Sequence, residues 1–256
     1  MRIAPEDEAF SASARPGDGD GRRTGVLLCH GFTGGPSSMR PWAEYLHEKG
    51  YAVSVPRWPG HGTSWQDLNT TTYADWYAEA ERSFEKLQTE CDEVFVAGLS
   101  MGGCLALNLA VDKGREVRGL VLVNPCVGTT RQDVKLLPVL KHLVPSFPGI
   151  ASDIKKSGVE ERGYRRTPLR AAHSMFQGMR VVKERLPEVT QPLLMFRSRV
   201  DHVVDPSSGK AIMTTVSSRD LEERILEDSY HVATLDNDAG VIFTVSAEFI
   251  RARTEG

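Results

Sequence analysis

The five residues Gly98-Leu99-Ser100-Met101-Gly102 fit the pattern G-x-S-x-G. A serine hydroxyl becomes a nucleophile once a neighbouring base takes its proton, and this spacing suits a serine carried on a sharp turn from a strand into a helix. In a chain of 256 residues with 23 glycines, chance supplies roughly 0.1–0.2 such matches, so the pentad alone is only moderately specific. Its flanks decide. Glu93–Ala97 (EVFVA) reads as a buried strand, and Met101–Lys113 reads as a helix. The flanking glycines remove side chains that would clash in the turn, and the helix N-terminus behind Ser100 favours developing negative charge.

Acyl transfer from such a serine builds an oxyanion that needs two preorganised N–H donors about 3 Å away. The residue after the nucleophile supplies one, which points to Met101. The loop His30-Gly31-Phe32-Thr33-Gly34 directly follows the run Gly25–Cys29, and Phe32 holds the matching position for the second donor. His30 precedes that loop and reads as a residue bonded to backbone to hold it.

A base must follow the serine, in the order serine, acid, histidine. Of seven histidines, His202 and His231 lie late enough. Ser229-Tyr230-His231-Val232 comes just after the run Glu223–Leu226, where a loop crosses the top of a sheet, so His231 is the expected base. Asp201 follows Pro192–Phe196 through Arg197-Ser198-Arg199-Val200 and is the expected acid, fixing the imidazole tautomer and stabilising imidazolium. Asp205 reads as a helix N-cap, Asp228 is too close to His231 along the chain, and His202 reads as a rim residue. Gly60-His61-Gly62-Thr63 reads as a loop that shapes the pocket. The acidic pairs Glu160/Glu161 and Glu222/Glu223 read largely as solvated faces.

These residues need a scaffold, and the sequence has the rhythm of one. Apolar runs at Gly25–Cys29, Tyr51–Val55, Glu93–Ala97, Leu120–Val123, Pro192–Phe196 and Glu223–Leu226 alternate with helical patterns at 37–49, 73–89, 101–113, 207–216 and 237–252. That alternation implies an α/β fold with a mostly parallel, doubly wound sheet. More than sixty residues between Val123 and Pro192 break the rhythm, with helical pieces near Leu136–Leu143 and from Thr167 to about Leu186. A stretch so long should carry structure and often function. Residues 126–187 are read as a cap inserted within a single domain spanning 1–256.

Composition bounds the rest. The chain is 40% hydrophobic and 25% charged, with net charge −3, so nothing suggests a nucleic-acid partner. No apolar run approaches a membrane span, and the N-terminal residues lack the pattern of a secretory signal. Cys29, Cys91, Cys104 and Cys126 show no metal-site spacing and read as buried reduced thiols in a cytoplasmic protein, expected as a monomer or homodimer.

The strings GVLLCHGFTGGPSSMRPWAEYL, PGHGT, AGLSMGG, DHVV and SYHVATLD resemble the bacterial monoacylglycerol lipase and carboxylesterase group, most of all the monoacylglycerol lipases of bacilli. The resemblance runs from about Gly25 to the C-terminal helix. It implies an α/β-hydrolase fold with a small cap after the sixth strand in that fold's numbering, and a cofactor-independent esterase acting on an ester or lipid. It implies the triad Ser100, Asp201 and His231, with oxyanion donors on Phe32 and Met101. Within the cap, Ile150-Ala151-Ser152-Asp153 and Glu161…Tyr164-Arg165-Arg166-Thr167-Pro168 are similar to the segment over the alcohol end of the pocket, which makes Ile150 and Glu161 the residues to meet glycerol. Two departures stand out: Ser198 occupies a position where many hydrolases of this fold have glycine, and residues 129–147 are less similar.

Overall fold

A computed structural model describes residues 3–14, 22–150 and 152–254. Part of the loose N-terminal stretch read from the sequence, and Ala151 of the cap, lie outside the described residues.

The sheet has seven strands in the order β1 (Phe10–Ala12), β3 (Ala52–Val55), β2 (Thr24–Cys29), β4 (Glu93–Leu99), β5 (Val117–Val123), β8 (Leu193–Ser198) and β9 (Leu221–Leu226). All neighbours pair in parallel except β1, which runs antiparallel along β3 at the edge. The central strands are buried on both faces, as their near-continuous apolar runs require. Alternate residues of one strand feed two separate cores. Leu27, Val96, Leu122 and Met195 pack with α3 (Tyr73–Glu90), α4 (Met101–Lys113) and α6 (Leu169–Glu184). Val26, Leu28, Phe95, Val121 and Phe196 face α1 (Arg40–Glu48) and α8 (Ala239–Thr254) through Trp42, Leu46, Ile242 and Phe249. This is the α/β-hydrolase arrangement.

The elements depart from the sequence reading mainly at their ends. The first helix starts at Arg40 because Pro36–Ser38 forms a separate 3-10 turn, and it stops where Gly50 takes φ +99°. The segment between β5 and β8 follows the fifth described strand along the chain. It holds α5 (Leu137–Leu143), a hairpin of β6 (Ser146–Pro148) with β7 (Arg166–Pro168), and α6, which starts two residues later than expected because Thr167 belongs to β7. Four-residue α2 (Trp65–Leu68), β1 and the hairpin were too short to leave a periodic signal. Helix α7 (Ser207–Thr215) packs on the same side as α3 and α4 through Ile212.

Candidate active site

Ser100 sits between β4 and α4 at φ +56°, ψ −117°, a conformation that a residue with a side chain adopts only under constraint. The constraint is built from neighbours. Ser100 N–H donates to Val123 O at 3.0 Å, and Cys126 N–H donates to Ser100 O at 3.1 Å, so β5 and the chain after it grip the turn. The glycines on either side leave no alternative: a Cβ on Gly102 would lie 1.9 Å from Cys29 O, and one on Gly98 would lie 2.3 Å from Gly102 O. Helix α4 can approach β2 this closely only without those carbons.

His231 is buried and its Nδ1 lies 2.8 Å from Asp201 Oδ2. The other Asp201 oxygen accepts the Val203 and Val204 N–H groups, each at 2.8 Å. Burial alone would raise the Asp201 pKa, but the hydrogen bond and charge of His231 and these two amides outweigh it and hold the carboxyl below its usual range. For His231, burial works downward, and the bond and charge of Asp201, with Glu161 and Asp153 behind, carry it above the ordinary histidine value. Ser100 and His231 face one cavity of about 600 Å³. Among the described residues no hydrogen bond joins them; catalytic bonds of this kind commonly tighten only around substrate.

The loop after β2 lies directly against the serine, since a Cβ on Gly31 would stand 3.4 Å from Ser100 Cβ and 3.9 Å from its Oγ. Phe32 follows it in the cavity wall, and Thr33 turns the chain at φ +66°. Met101 follows the serine on its other side as the first residue of α4.

His30 and His61 sit underneath this loop. His30 Nδ1–H donates to Gly31 O at 2.9 Å and its Nε2 accepts Trp58 N–H at 3.5 Å, an arrangement of the neutral ring. Burial pushes the His30 pKa down to about 3 and drives His61 well below its ordinary value. Burial thus favours the neutral form of both rings. Both are props of the loop, with His61 edge-on to Trp76 at 5.4 Å between ring centres.

Glu161 and Ile150 line the same cavity. Ile150 is exposed at its mouth. The Glu161 carboxylate lies against Gly34, and burial pushes its pKa up to about 7, opposed by His231 and reinforced by Asp7. Of the apolar residues in the segment between β5 and β8, Leu137, Leu140 and Met175 line the cavity, whereas Leu136 and Leu143 are exposed. Asp205 accepts Ser207 N–H at 3.0 Å at the start of α7 and also Thr130 N–H at 3.1 Å, so it fastens the chain after β5 as well as the helix. His202 is on the rim, its Nδ1 2.8 Å from Asp153 Oδ1.

Several residues of the site were given no role by the sequence. Asn124, at φ +43°, accepts Ser198 N–H at 2.7 Å and donates to His231 O at 2.8 Å. Ser198 Oγ donates to Tyr230 O at 2.8 Å, which gives its hydroxyl a use that glycine could not supply. Asp236 accepts four backbone N–H groups, from Lys155, Lys156, Tyr230 and Asn237. Tyr164 Oη accepts Thr63 N–H and donates to Gly60 O, each at 2.8 Å, pinning the segment between β5 and β8 to the Gly60–Thr63 loop.

Residues 21–238 match the family described as serine aminopeptidase, S33. The chain belongs to this family of serine hydrolases. It is 38% identical to a thermostable monoacylglycerol lipase of Bacillus sp. (strain H-257), over 93% of this chain and 94% of that protein. It is 27% identical to a carboxylesterase of Bacillus subtilis (strain 168), over 88% and 91% of the two chains. A solved structure from work on the metagenome-derived lipolytic enzymes LipS and LipT superposes with a TM-score of 0.92 at 37% identity, covering 98% of this chain and all of that one. Among the described residues no helix is long and apolar enough to cross a membrane.

Proposed function

We propose that this enzyme hydrolyses carboxylic esters through an acyl-enzyme on Ser100, with monoacylglycerols as its substrates. The observation that carries the reading is the buried Asp201–His231 pair at 2.8 Å, facing the same cavity as a serine held on a strained turn. His231 takes the Ser100 proton as the hydroxyl attacks the ester carbonyl. The tetrahedral oxyanion lies between the Phe32 and Met101 N–H groups, His231 protonates the departing alcohol, and water repeats the cycle on the acyl-enzyme.

Residues 126–187 act as a cap within the one catalytic domain. The acyl chain lies along Leu137, Leu140 and Met175, as ligand sites are mostly apolar with few polar anchors. Glycerol meets Glu161, with Ile150 beside it at the mouth. A triacylglycerol has no free hydroxyl for Glu161 and brings two more chains into a cavity of about 600 Å³. The family's description names an aminopeptidase, but the carboxylates lining this cavity are already engaged, Asp133 by Arg131, Asp153 by His202 and the His231 amide, and Asp205 by the Ser207 and Thr130 amides, while burial pushes Glu161 toward the neutral form. Four free buried cysteines accord with a cytoplasmic setting, and either a monomer or a homodimer would serve the chemistry.

Initial rates on mono-, di- and triacylglycerols of one fatty acid, beside the corresponding aminoacyl anilide, test the reading. Monoacylglycerol should be hydrolysed fastest. Comparable rates on triacylglycerol would remove the specificity, and turnover of the anilide alone would remove the esterase.

A further inference from the structure

One carboxylate in the segment between β5 and β8 reaches both loops that carry the acid and the base. Asp153 is buried, and its Oδ2 accepts His231 N–H at 3.2 Å and His202 N–H at 3.1 Å. Its Oδ1 lies 2.8 Å from His202 Nδ1. The Asp153 backbone adds a fourth bond, accepting Val232 N–H at 3.0 Å. His202 follows Asp201 directly, so a single side chain joins the neighbour of the acid to the backbone of the base. The same stretch of chain leads to Glu161. Ser152 Oγ accepts Glu161 N–H at 3.1 Å, and Asp236 takes the Lys155 and Lys156 N–H groups, so residues 152–161 form a closed loop fastened at both ends.

We infer that Asp153 is a positioning residue for the reaction: it sets the His231 and Asp201 loops in one register and fixes the Glu161 loop against them. This rests on the proposed roles of Ser100, Asp201 and His231. Residues that hold a ligand or base through its backbone fix the ring that does the chemistry. Asp153 acts on His231 by charge as well as by geometry. The charged and titratable groups around that ring are Asp201 on its Nδ1, Glu161 across the cavity, Asp153 beneath its amide, Asp236 in its own loop, and His202 with its ring edge-on to Tyr230 at 4.7 Å. Removing the Asp153 charge lowers the basicity of His231, since a nearby anion favours imidazolium.

The test compares Asp153→Asn with wild type, Ser152→Ala and Asp228→Ala, using a nitrophenyl ester and a monoacylglycerol of the same acid across pH. Asn keeps the shape and removes the charge. Asp228 is exposed and pairs with Lys155 on the same loop at 2.6 Å, which makes it a control for loose anchoring. In Asp153→Asn, kcat should fall about ten- to a hundredfold on both esters, the scale of losing a bond to a charged group. The acid limb of its kcat/KM profile should move to lower pH. Ser152→Ala should raise KM for the monoacylglycerol with an unmoved profile, and Asp228→Ala should match wild type. An unmoved limb with wild-type kcat in Asp153→Asn would overturn the inference, as would a variant that no longer folds, because Asp153 would then be a scaffold residue. Wild-type turnover in Ser100→Ala would instead remove the reading on which the inference rests.

Discussion

His231 Nδ1 and Asp201 Oδ2 stand 2.8 Å apart, with both side chains more than nine-tenths removed from solvent. A pair this dry fixes the imidazole so that Nε2 is left for the serine, and it stabilises the imidazolium formed when the serine proton moves. Asp201→Asn keeps the shape and loses that effect. In well-studied triads the loss is about 10⁴ in kcat. Asp205→Asn should cost far less: Pro206, not Asp205, is the N-cap of α7, and Asp205 only accepts the Ser207 and Thr130 N–H groups, bonds worth about 1 kcal/mol to stability. Steady-state rates of the two variants on one ester decide between them; the reverse order would make Asp205 the acid.

The strained turn offers a test that separates folding from chemistry. Ser100→Gly and Ser100→Ala should both be inactive, but glycine takes φ +56° without strain whereas alanine keeps the strain that serine bears. The glycine variant should therefore melt at the higher temperature. Gly102→Ala should fail to yield folded enzyme, since its Cβ would lie 1.9 Å from Cys29 O. A soluble, active Gly102→Ala variant would mean that α4 does not approach β2 as described.

Much of this site was legible because its chemistry is local. Ser100, Phe32, Met101, Asp201 and His231 each lie just beyond an apolar run, so strand ends alone bring them to one edge of the sheet. Asp153, Asn124 and Asp236 were not legible. Each acts through partners about 80 to 107 residues away in at least one of its bonds, and nothing in a single sequence marks such pairs. The same reason hid the hairpin of β6 with β7, whose three-residue strands become ordered only against each other. Nothing in the sequence showed that Leu137 and Leu140 would line the cavity while Leu136 and Leu143 stay exposed, because an apolar residue in the segment between β5 and β8 can face the cavity or the solvent with equal sequence logic.

Acidification should act through two separable steps. His231 works as the neutral ring, and its pKa is raised, so kcat/KM on a simple ester should fall reversibly with a midpoint above pH 6.5. Stability follows a different pair. His30 and His61 have folded-state pKa values far below 6.5, so below that pH the unfolded chain binds protons that the folded one refuses. Stability is then lost as pH falls from about 6.5, at about 1.4 kcal/mol per pH unit for each histidine. Denaturant unfolding between pH 4 and 7 measures this slope; a flat stability over that range would show that the two rings accept protons in the fold.

Glu161 makes the substrate preference itself depend on pH. Its pKa is pushed up to about 7, so the carboxylate form, the better acceptor for glycerol hydroxyls, gains population as pH rises through 7. The ratio of kcat/KM for a monoacylglycerol to that for the methyl ester of the same acid cancels the His231 step common to both. That ratio should rise with pH in wild type and become flat in Glu161→Ala. Glu161→Ala should also lower kcat/KM for the monoacylglycerol by roughly 1–3 kcal/mol equivalent while sparing the methyl ester. Equal losses on both esters would make Glu161 a support of the cap rather than a reader of glycerol.

The central claim is that Ser100 is the residue that becomes acylated. A fluorophosphonate reacts preferentially with a serine activated in this way, so its stoichiometry and position, read by mass spectrometry of the intact chain and its peptides, test the claim directly. The expected result is one label per chain, on the peptide containing Ser100, with esterase activity falling in proportion to labelling. Full activity in an unlabelled protein, or a label on another residue that tracks the loss of activity, would contradict it.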